Sequence, residues 1–333
     1  MFKKCVGAFM NTHVESEKKL IVLALGGNAL QQKGQKGTMA EQFENSRNSM
    51  KPVVELIKQG YNFVITHGNG PQVGSLMLMV DKAKDEVPET PLGVADAMTE
   101  GSMGYMLAQC LQNMMIRAGM KKRPEVVVVP TQVVVDPNDA SVTSPTKPIG
   151  VFYTEEQAKK LEAEKGWVMK NDAGRGFRRC VASPYPVDII EKDAIKTLID
   201  HNYVVICGGG GGIPVYYAKD DTLEGMDCVI DKDLATMKIA LAIGAETLVI
   251  VTGVKKVSVA WGKPEQKDLD VMTLAQARHY LAKGEFPAGS MGPKIQAALE
   301  FVQANPKNKV VITDIDSLPL ALEGKEGTTI VSY

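Results

Sequence analysis

Tyr203 to Val215 reads YVVICGGGGGIPV, and after a polar loop the chain continues from Val229 to Lys238 as VIDKDLATMK. Tyr203 to Ile206 is apolar and partly β-branched, the pattern of a short strand buried on both faces. Five glycines follow, Gly208 to Gly212. A turn without Cβ atoms lets backbone N–H groups converge on something bulky and polar. A flexible loop gives the same letters, so the run alone decides little. The second half decides more. Asp231, Lys232 and Asp233 precede Leu234, Met237, Ala240 and Leu241, whose spacing predicts a helix. An Asp at a helix start caps it and favours the dipole. A lysine between two aspartates, shortly after a glycine turn, suggests a positive charge aimed at phosphate.

Working outward, the same strand-then-glycine pattern recurs. Leu20 to Leu25 (LIVLAL) is a buried strand that ends at Gly26-Gly27-Asn28. A helix from about Met39 to Gln59 places Phe43, Met50, Val54 and Ile57 on one face, and Pro52 is expected to kink or break it. Tyr61 to Thr66 is a second strand running into HGNGPQVG, His67 to Gly74. Strands separated by helices and ending in Gly/Asn turns are βαβ grammar, which sets ligands at the carboxyl ends of parallel strands. Val94 to Ala118 is methionine-rich, which suits a core or a subunit interface. Val126 to Val135 is strand-like and broken by Pro130.

Asp136 to Pro186 departs from this grammar and is rich in proline and charge, with one helix opening at the capping box TEEQ, Thr154 to Gln157. Such an excursion predicts a small inserted subdomain with few core contacts, of the kind that serves as a lid. It carries Lys147 in SPTKPIG and the cluster Arg175, Arg178 and Arg179, for which a solvated face is the favoured reading. A helix from Val187 to Asn202 leads back to the central strand, and Thr247 to Val251 is a further strand. A helix Thr273 to Lys283 precedes AGSMGPK, Ala288 to Lys294, which opens a helix Ile295 to Asn305. Val310 to Thr313 and Thr328 to Val331 then close the sheet.

The totals bound the answer. The chain has 333 residues, room for one large α/β domain, and a formal net charge of −1, which argues against a nucleic-acid binder. No apolar stretch is long enough to span a membrane. Five cysteines without CxxC spacing suit reduced core thiols in a cytoplasmic protein. Residues 1–19 are polar and broken up, and read as a loose extension. The Walker pattern GxxxxGK[ST] and the hydrolase elbow GxSxG do not occur, and Ile213 stands where a dinucleotide fingerprint has its third glycine. The four histidines are too scattered for a structural metal site, and no resident metal ligands are assigned.

LALGGNAL, THGNGPQVG, GGGGIPV, VIDKDLA, GKPEQK and GSMGPKIQAA occur in this order, with DAMTEGSMGY at Asp96 to Tyr105 and RRCVASPYP at Arg178 to Pro186. On these motifs the chain, from about Lys19 to its end, resembles the carbamate kinases of the amino acid kinase family. The resemblance implies a three-layer αβα sandwich on a mainly parallel, eight-stranded sheet, with a protruding lid subdomain at about 136–186 in a kinase domain spanning 20–333. It implies a homodimer and the reaction ATP + carbamate ⇌ ADP + carbamoyl phosphate with Mg2+, usually run toward ATP in fermentative catabolism such as arginine breakdown. Carried over, Gly26, Gly27 and Asn28 would cradle acceptor and phosphoryl group, with Gly68, Asn69 and Gly70 completing the nest. Lys232 and Lys294 would neutralise phosphoryl oxygens, and Asp233, beside Asp231, would hold the lysines. Gly209, Gly210, Gly211 and Gly212 would take the nucleotide together with Thr252, Val254, Trp261, Gly262, Pro264 and Met291. Gly253 and Trp261 depart from residues common in relatives.

Much of the wider family has a lysine in the first strand where this chain has Ala24, so Lys147 is the candidate for the missing acceptor-side cation. The chemistry agrees with the set. A carbamate oxygen is already anionic and needs no general base, so catalysis reduces to positioning and charge neutralisation. Alternatives are a kinase of the same fold for a larger acceptor, such as N-acetylglutamate, aspartate or a nucleoside monophosphate, and a non-catalytic nucleotide sensor.

Overall fold

The computed structural model describes residues 19–27, 30–32, 34–171, 174, 176–287 and 289–333. At its centre is an eight-stranded sheet in the order Val271–Thr273, Thr328–Val331, Lys309–Thr313, Thr247–Val251, Lys19–Leu25, Tyr61–His67, Val204–Cys207, Val126–Val129. All neighbours pair in parallel except Lys309–Thr313 with Thr328–Val331. Alternating side chains leave the sheet on opposite faces. Val22, Ala24, Val64 and Val205 pack with the helices Lys232–Ala242 and Met291–Ala304. Ile21, Leu23, Phe63 and Ile65 pack with Met39–Lys58 and Leu92–Arg117. This is the expected three-layer αβα arrangement. Each large side chain buried here stabilises the fold by about 1.5–3 kcal/mol, which is why the strands read as unbroken apolar runs.

Several expectations are corrected at element level. Lys19 already belongs to the first strand, while residues 1–18, read as a loose extension, lie outside the described residues. Pro52 sits inside an unbroken helix. The helix expected from Val187 is preceded by a strand, Pro186–Ile189, and runs from Lys192 to Asp200. The helix expected from Ile295 starts at Met291, which puts Lys294 in its first turns. The sheet ends not at Thr328–Val331 but at the three-residue strand Val271–Thr273.

Val126 to Val135 is two strands in two sheets. Val126–Val129 pairs with Val204–Cys207 in the central sheet, and Gln132–Val135 pairs in parallel with Ile213–Tyr217 in a second, four-stranded sheet. Two neighbouring segments thus cross together from one sheet to the other, one through Pro130-Thr131 and one through the glycine run. Glu100, buried on helix Leu92–Arg117, pins both: its Oε2 accepts from the Thr131 N–H at 3.1 Å and its Oε1 from the Gly209 N–H at 2.9 Å. The Gly208 N–H donates to Thr131 Oγ1 at 3.0 Å and the Ile213 N–H to the Thr131 carbonyl at 2.8 Å.

The excursion is more ordered than its composition implied. Lys147–Tyr153, Phe177–Val181 and Val168–Asn171 form a three-stranded antiparallel sheet, covered by the helix Glu155–Lys165 with the capping box read at Thr154. It also contributes to a core, since Ile149 and Val181 pack with Val73, Leu92, Ala95 and Val229. Its approach to helix Gly70–Ala83 is backbone-close: a Cβ on Gly74 would stand 2.7 Å from Gly150 Cα. Lys165 is ion-paired with Asp81 of the same helix. The arginines brace this sheet. Arg178 Nε donates to the Gly150 carbonyl at 3.1 Å, and the Arg179 guanidinium lies 4.4 Å from the Trp167 ring centre. Arg175 lies outside the described residues.

Candidate active site

The carboxyl ends of the two central strands meet the helix that begins at Lys232. Gly26 ends Lys19–Leu25 so close to its neighbour that a Cβ would stand 2.6 Å from the Val251 carbonyl oxygen. The Gly68 N–H, ending the next strand, donates to the Leu25 carbonyl at 3.1 Å. A Cβ on Gly68 would lie 3.4 Å from Lys232 Cδ and 3.7 Å from the Gly27 nitrogen. So Gly26, Gly27, Gly68 and Lys232, far apart in the chain, share one corner. Asn28, expected in the same cradle, lies outside the described residues. Gly70 opens helix Gly70–Ala83 directly after Asn69.

Asp233 organises the cations. It is buried, ion-paired with Lys232 through Oδ1 and with Lys294 through Oδ2, the latter at 2.7 Å. Burial pushes its carboxyl up, but the two ammonium groups and their hydrogen bonds overcome that and hold it well below the usual carboxylate range. Burial draws the Lys232 ammonium below the ordinary lysine value; Asp233 opposes this and Lys294 adds to it. Lys232 and Lys294 both sit near helix N-termini, which favour negative charge. Two lysines holding one anion between them leave a net positive patch.

Asp231 divides its carboxylate. Oδ1 caps the helix, accepting from the Asp233 and Leu234 N–H groups at 2.9 and 3.4 Å, while Oδ2 accepts from Lys147 Nζ at 2.8 Å. The cap was read from sequence; the lysine partner was not. Lys147 begins a strand of the three-stranded sheet instead of lying in a proline-held loop. It thereby reaches Asp231, the residue before Lys232, while Asp233 takes Lys232 and Lys294.

The glycine run is not an open nest. The N–H groups of Gly208, Gly209, Gly211 and Gly212 donate to Thr131, Glu100, Gly208 and Gly209 respectively. The run is packed hard: Cβ atoms would stand 2.5 Å from the His67 ring at Gly209 and 2.3 Å from the Ile230 carbonyl oxygen at Gly211. Gly210 is the half-buried member, lying against Asn69. Four of the five amides of the run are thus used inside the protein, and the glycines allow close packing of the crossover.

A cavity of about 340 Å³ lies at the start of helix Met291–Ala304, lined by Thr252, Val254, Lys256, Trp261, Phe286 and Met291. Four of the residues expected to hold the nucleotide meet here, and Met291 opens the helix that carries Lys294. Gly262 and Pro264 do not line it; the Gly262 N–H closes a turn on Gln266 Oε1 at 2.9 Å.

Behind Asn69, which was expected in the nest, lies a layer that sequence reasoning missed. His67, Asp96, Thr99 and Glu100 are buried there, as is Asn69 itself. Burial lowers the His67 pKa to about 4, against a hydrogen bond with the Gly68 carbonyl, and Lys232 lowers it further. Burial raises Asp96 to about 7 and Glu100 to about 8. A signal was present: Asp96, Thr99, Glu100, Met103 and Leu107 continue one helical stripe, so the polar members had to face inward with the apolar ones.

The amino acid kinase family model matches residues 19–314. A carbamate kinase of Pyrococcus furiosus is 44% identical over 94% of this chain and 99% of its own length. One from Clostridium perfringens is 45% identical over 93% of this chain and 99% of its own. Among solved structures, the carbamate kinase of Giardia lamblia bound to AMP-PNP matches with a TM-score of 0.88 at 41% identity, covering 95% of this chain and 99% of that one. The chain belongs to the amino acid kinase family and, within it, to the carbamate kinases, which are phosphotransferases.

Proposed function

We propose that this chain catalyses ATP + carbamate ⇌ ADP + carbamoyl phosphate. One observation carries the reading: Lys232 and Lys294 share the Asp233 carboxylate at a helix N-terminus, beside the Gly26-Gly27 and Gly68 turns. A carbamate oxygen attacks the γ-phosphorus, a new P–O bond forms, the bond to the β-phosphate oxygen breaks, and ADP leaves. The attacking oxygen is already anionic, so no proton has to move. The obstacle is anion meeting anion. A lysine about 4 Å from a phosphoryl oxygen gains about 4 kcal/mol at an effective dielectric of ~20. Lys232 and Lys294 meet the migrating group, Asp233 sets their spacing, and Lys147 supplies charge from the acceptor side once it leaves Asp231. Gly26, Gly27, Asn28, Gly68, Asn69 and Gly70 surround the acceptor. Thr252, Val254, Trp261 and Met291 hold the nucleoside, with Gly262 and Pro264 in the adjoining turn, and Gly210, half-buried against Asn69, is the member of the run Gly209 to Gly212 left most open to the nucleotide.

Mg2+ belongs to the nucleotide substrate in this reading. Both Asp233 oxygens are engaged by lysines, and among the described residues no three His, Cys, Asp or Glu side chains gather as a metal cage. When bound, it supplies further charge neutralisation on the phosphates. The segment 136–186 acts as a lid, since it carries Lys147. A homodimer is supported by helix Leu92–Arg117, where Val94, Met98, Tyr105 and Ile116 are at least half exposed along one face. A cytoplasmic enzyme running toward ATP, in fermentative breakdown of arginine or a related compound, fits the family.

Purified chain with ADP, carbamoyl phosphate and Mg2+ should form ATP, and omission of any one should stop it. No turnover there, with activity on N-acetylglutamate or aspartate, would favour the larger acceptor. Nucleotide binding without turnover on any acceptor would favour a sensor.

A further inference from the structure

Asn69 can hold its amide in one orientation only. Its Nδ2 donates to Asp96 Oδ1 at 2.8 Å and to Thr99 Oγ1 at 2.9 Å. The Thr99 hydroxyl hydrogen is used on the Asp96 backbone carbonyl, at 2.9 Å, so Thr99 Oγ1 can only accept from Asn69. Asp96 Oδ1 accepts in either protonation state, because Oδ2 is buried without a partner and would be the oxygen to carry a proton. A flipped amide would set its carbonyl oxygen against two acceptors. Both amide hydrogens are therefore occupied, and what Asn69 still offers is the acceptor Oδ1. That atom is not among the sealed, partnerless ones of the described residues. The side chain lies against half-buried Gly210, and its preceding residue, Gly68, adjoins Lys232 and Gly27.

An acceptor in this position is a poor partner for phosphoryl or carboxylate oxygens, which are acceptors too. It suits a donor, and the acceptor substrate in the reading above has one: the amino group of carbamate, retained in carbamoyl phosphate. We propose that Asn69 Oδ1, fixed by the positioning residues Asp96 and Thr99, accepts a hydrogen bond from that amino group and thereby selects a carbamoyl over an acetyl group. The proposal rests on the carbamate kinase reading. Acetyl phosphate replaces the amino group by a methyl and leaves the phosphate end alone. Bound in the same pose, it would bury Oδ1 with nothing to pair it, and a site built to bond a substrate N–H rejects such an analogue strongly.

The test is ATP formation from ADP and Mg2+ with carbamoyl phosphate or acetyl phosphate as donor, compared as the ratio of kcat/KM. The wild type should favour carbamoyl phosphate by about a hundredfold or more. Asn69→Ala should collapse the ratio. Thr99→Val, which touches no substrate, should lower it about tenfold through lost carbamoyl phosphate turnover, with the KM for ADP little changed, and Thr99→Ser should restore it. If Asn69→Ala fails to fold, the wild-type ratio and the Thr99 pair still decide. A wild-type ratio near one alongside brisk carbamoyl phosphate turnover would overturn this proposal alone, as would a Thr99→Val loss equal for both donors. No ATP from carbamoyl phosphate in the wild type would instead sink the reaction, and this proposal with it.

Discussion

Two groups of buried carboxylates flank the same glycine turns. On one side Asp233 lies between Lys232 and Lys294; on the other, Asp96 and Glu100 lie behind Asn69 and the glycine run. Burial pushes all three up. Asp233 is nonetheless held low, because two cations oppose burial, whereas Asp96 and Glu100 have only neutral donors and rise to about 7 and about 8. The difference separates two tasks. One region concentrates positive charge, which the proposed reaction sets against the phosphoryl group. The other fixes backbone and amide geometry with little charge of its own, and the His67 ring, lowered to about 4, stays neutral there at physiological pH.

The largest break in this contrast should come from Asp233→Asn. It sets Lys232 against Lys294 without their anion, and breaking a buried pair of this kind costs about 3–5 kcal/mol. Tm should fall and kcat should drop about a thousandfold. The sign follows from the low carboxyl: its stabilisation is present above the unfolded carboxylate value and is lost as pH falls through the folded one, so the mutant should lack that part of the acid transition. Next, Lys232→Ala and Lys294→Ala should each lower kcat by about a hundredfold or more while the KM for ADP moves far less, because their partner is the migrating group. A mutant with normal kcat and only weaker nucleotide binding would mean that lysine is misplaced. Lys232 should also lose its proton at lower pH than an ordinary lysine, giving an alkaline limb in kcat that Lys232→Arg moves upward.

Lys147→Ala should be milder, about tenfold in kcat with weaker carbamoyl phosphate binding and nearly unchanged nucleotide affinity; Lys147→Arg should rescue poorly, since a planar fork does not replace a compact ammonium. Near-wild-type kinetics would return Lys147 to a purely structural pair with Asp231. The smallest effect on turnover should come from Glu100→Gln, whose NH2 would face a backbone N–H. Denaturation should show about 1–3 kcal/mol lost near pH 6. A raised carboxyl stabilises fully below its unfolded pKa and no longer above the folded one, so wild-type stability should fall between about pH 4.5 and about 8 and the variant should give a flatter profile. An equally steep profile in Glu100→Gln would locate the titration elsewhere, Asp96 first.

The charged side of the contrast was legible in the sequence, and the neutral side largely was not. Strands such as Leu20 to Leu25 are buried on both faces and announce themselves as apolar runs, and an Asp before a helical stripe signals its own cap. The second sheet gave no such signal. Its strand Leu223–Gly225 is exposed throughout, and Gln132–Val135 is separated from its central-sheet predecessor only by Pro130-Thr131. Pairing between segments so distant in sequence leaves no local mark. The glycine run was ambiguous for the same reason. Five glycines in a row are equally suited to holding an anion and to letting His67, Asn69, Ile230 and Val133 approach the backbone, and only the tertiary neighbours separate the two.

The divided carboxylate of Asp231 has a consequence for how the cleft can respond to a ligand. Because Oδ1 alone secures the helix start, the bond at Oδ2 is a detachable one: Lys147 can be traded to an arriving oxyanion while the turn that aims Lys232 and Asp233 keeps its shape. The strand that delivers the lysine can then change partner without unsettling the helix that Asp231 caps. A single side chain works as both anchor and mooring, and only the mooring is cast off.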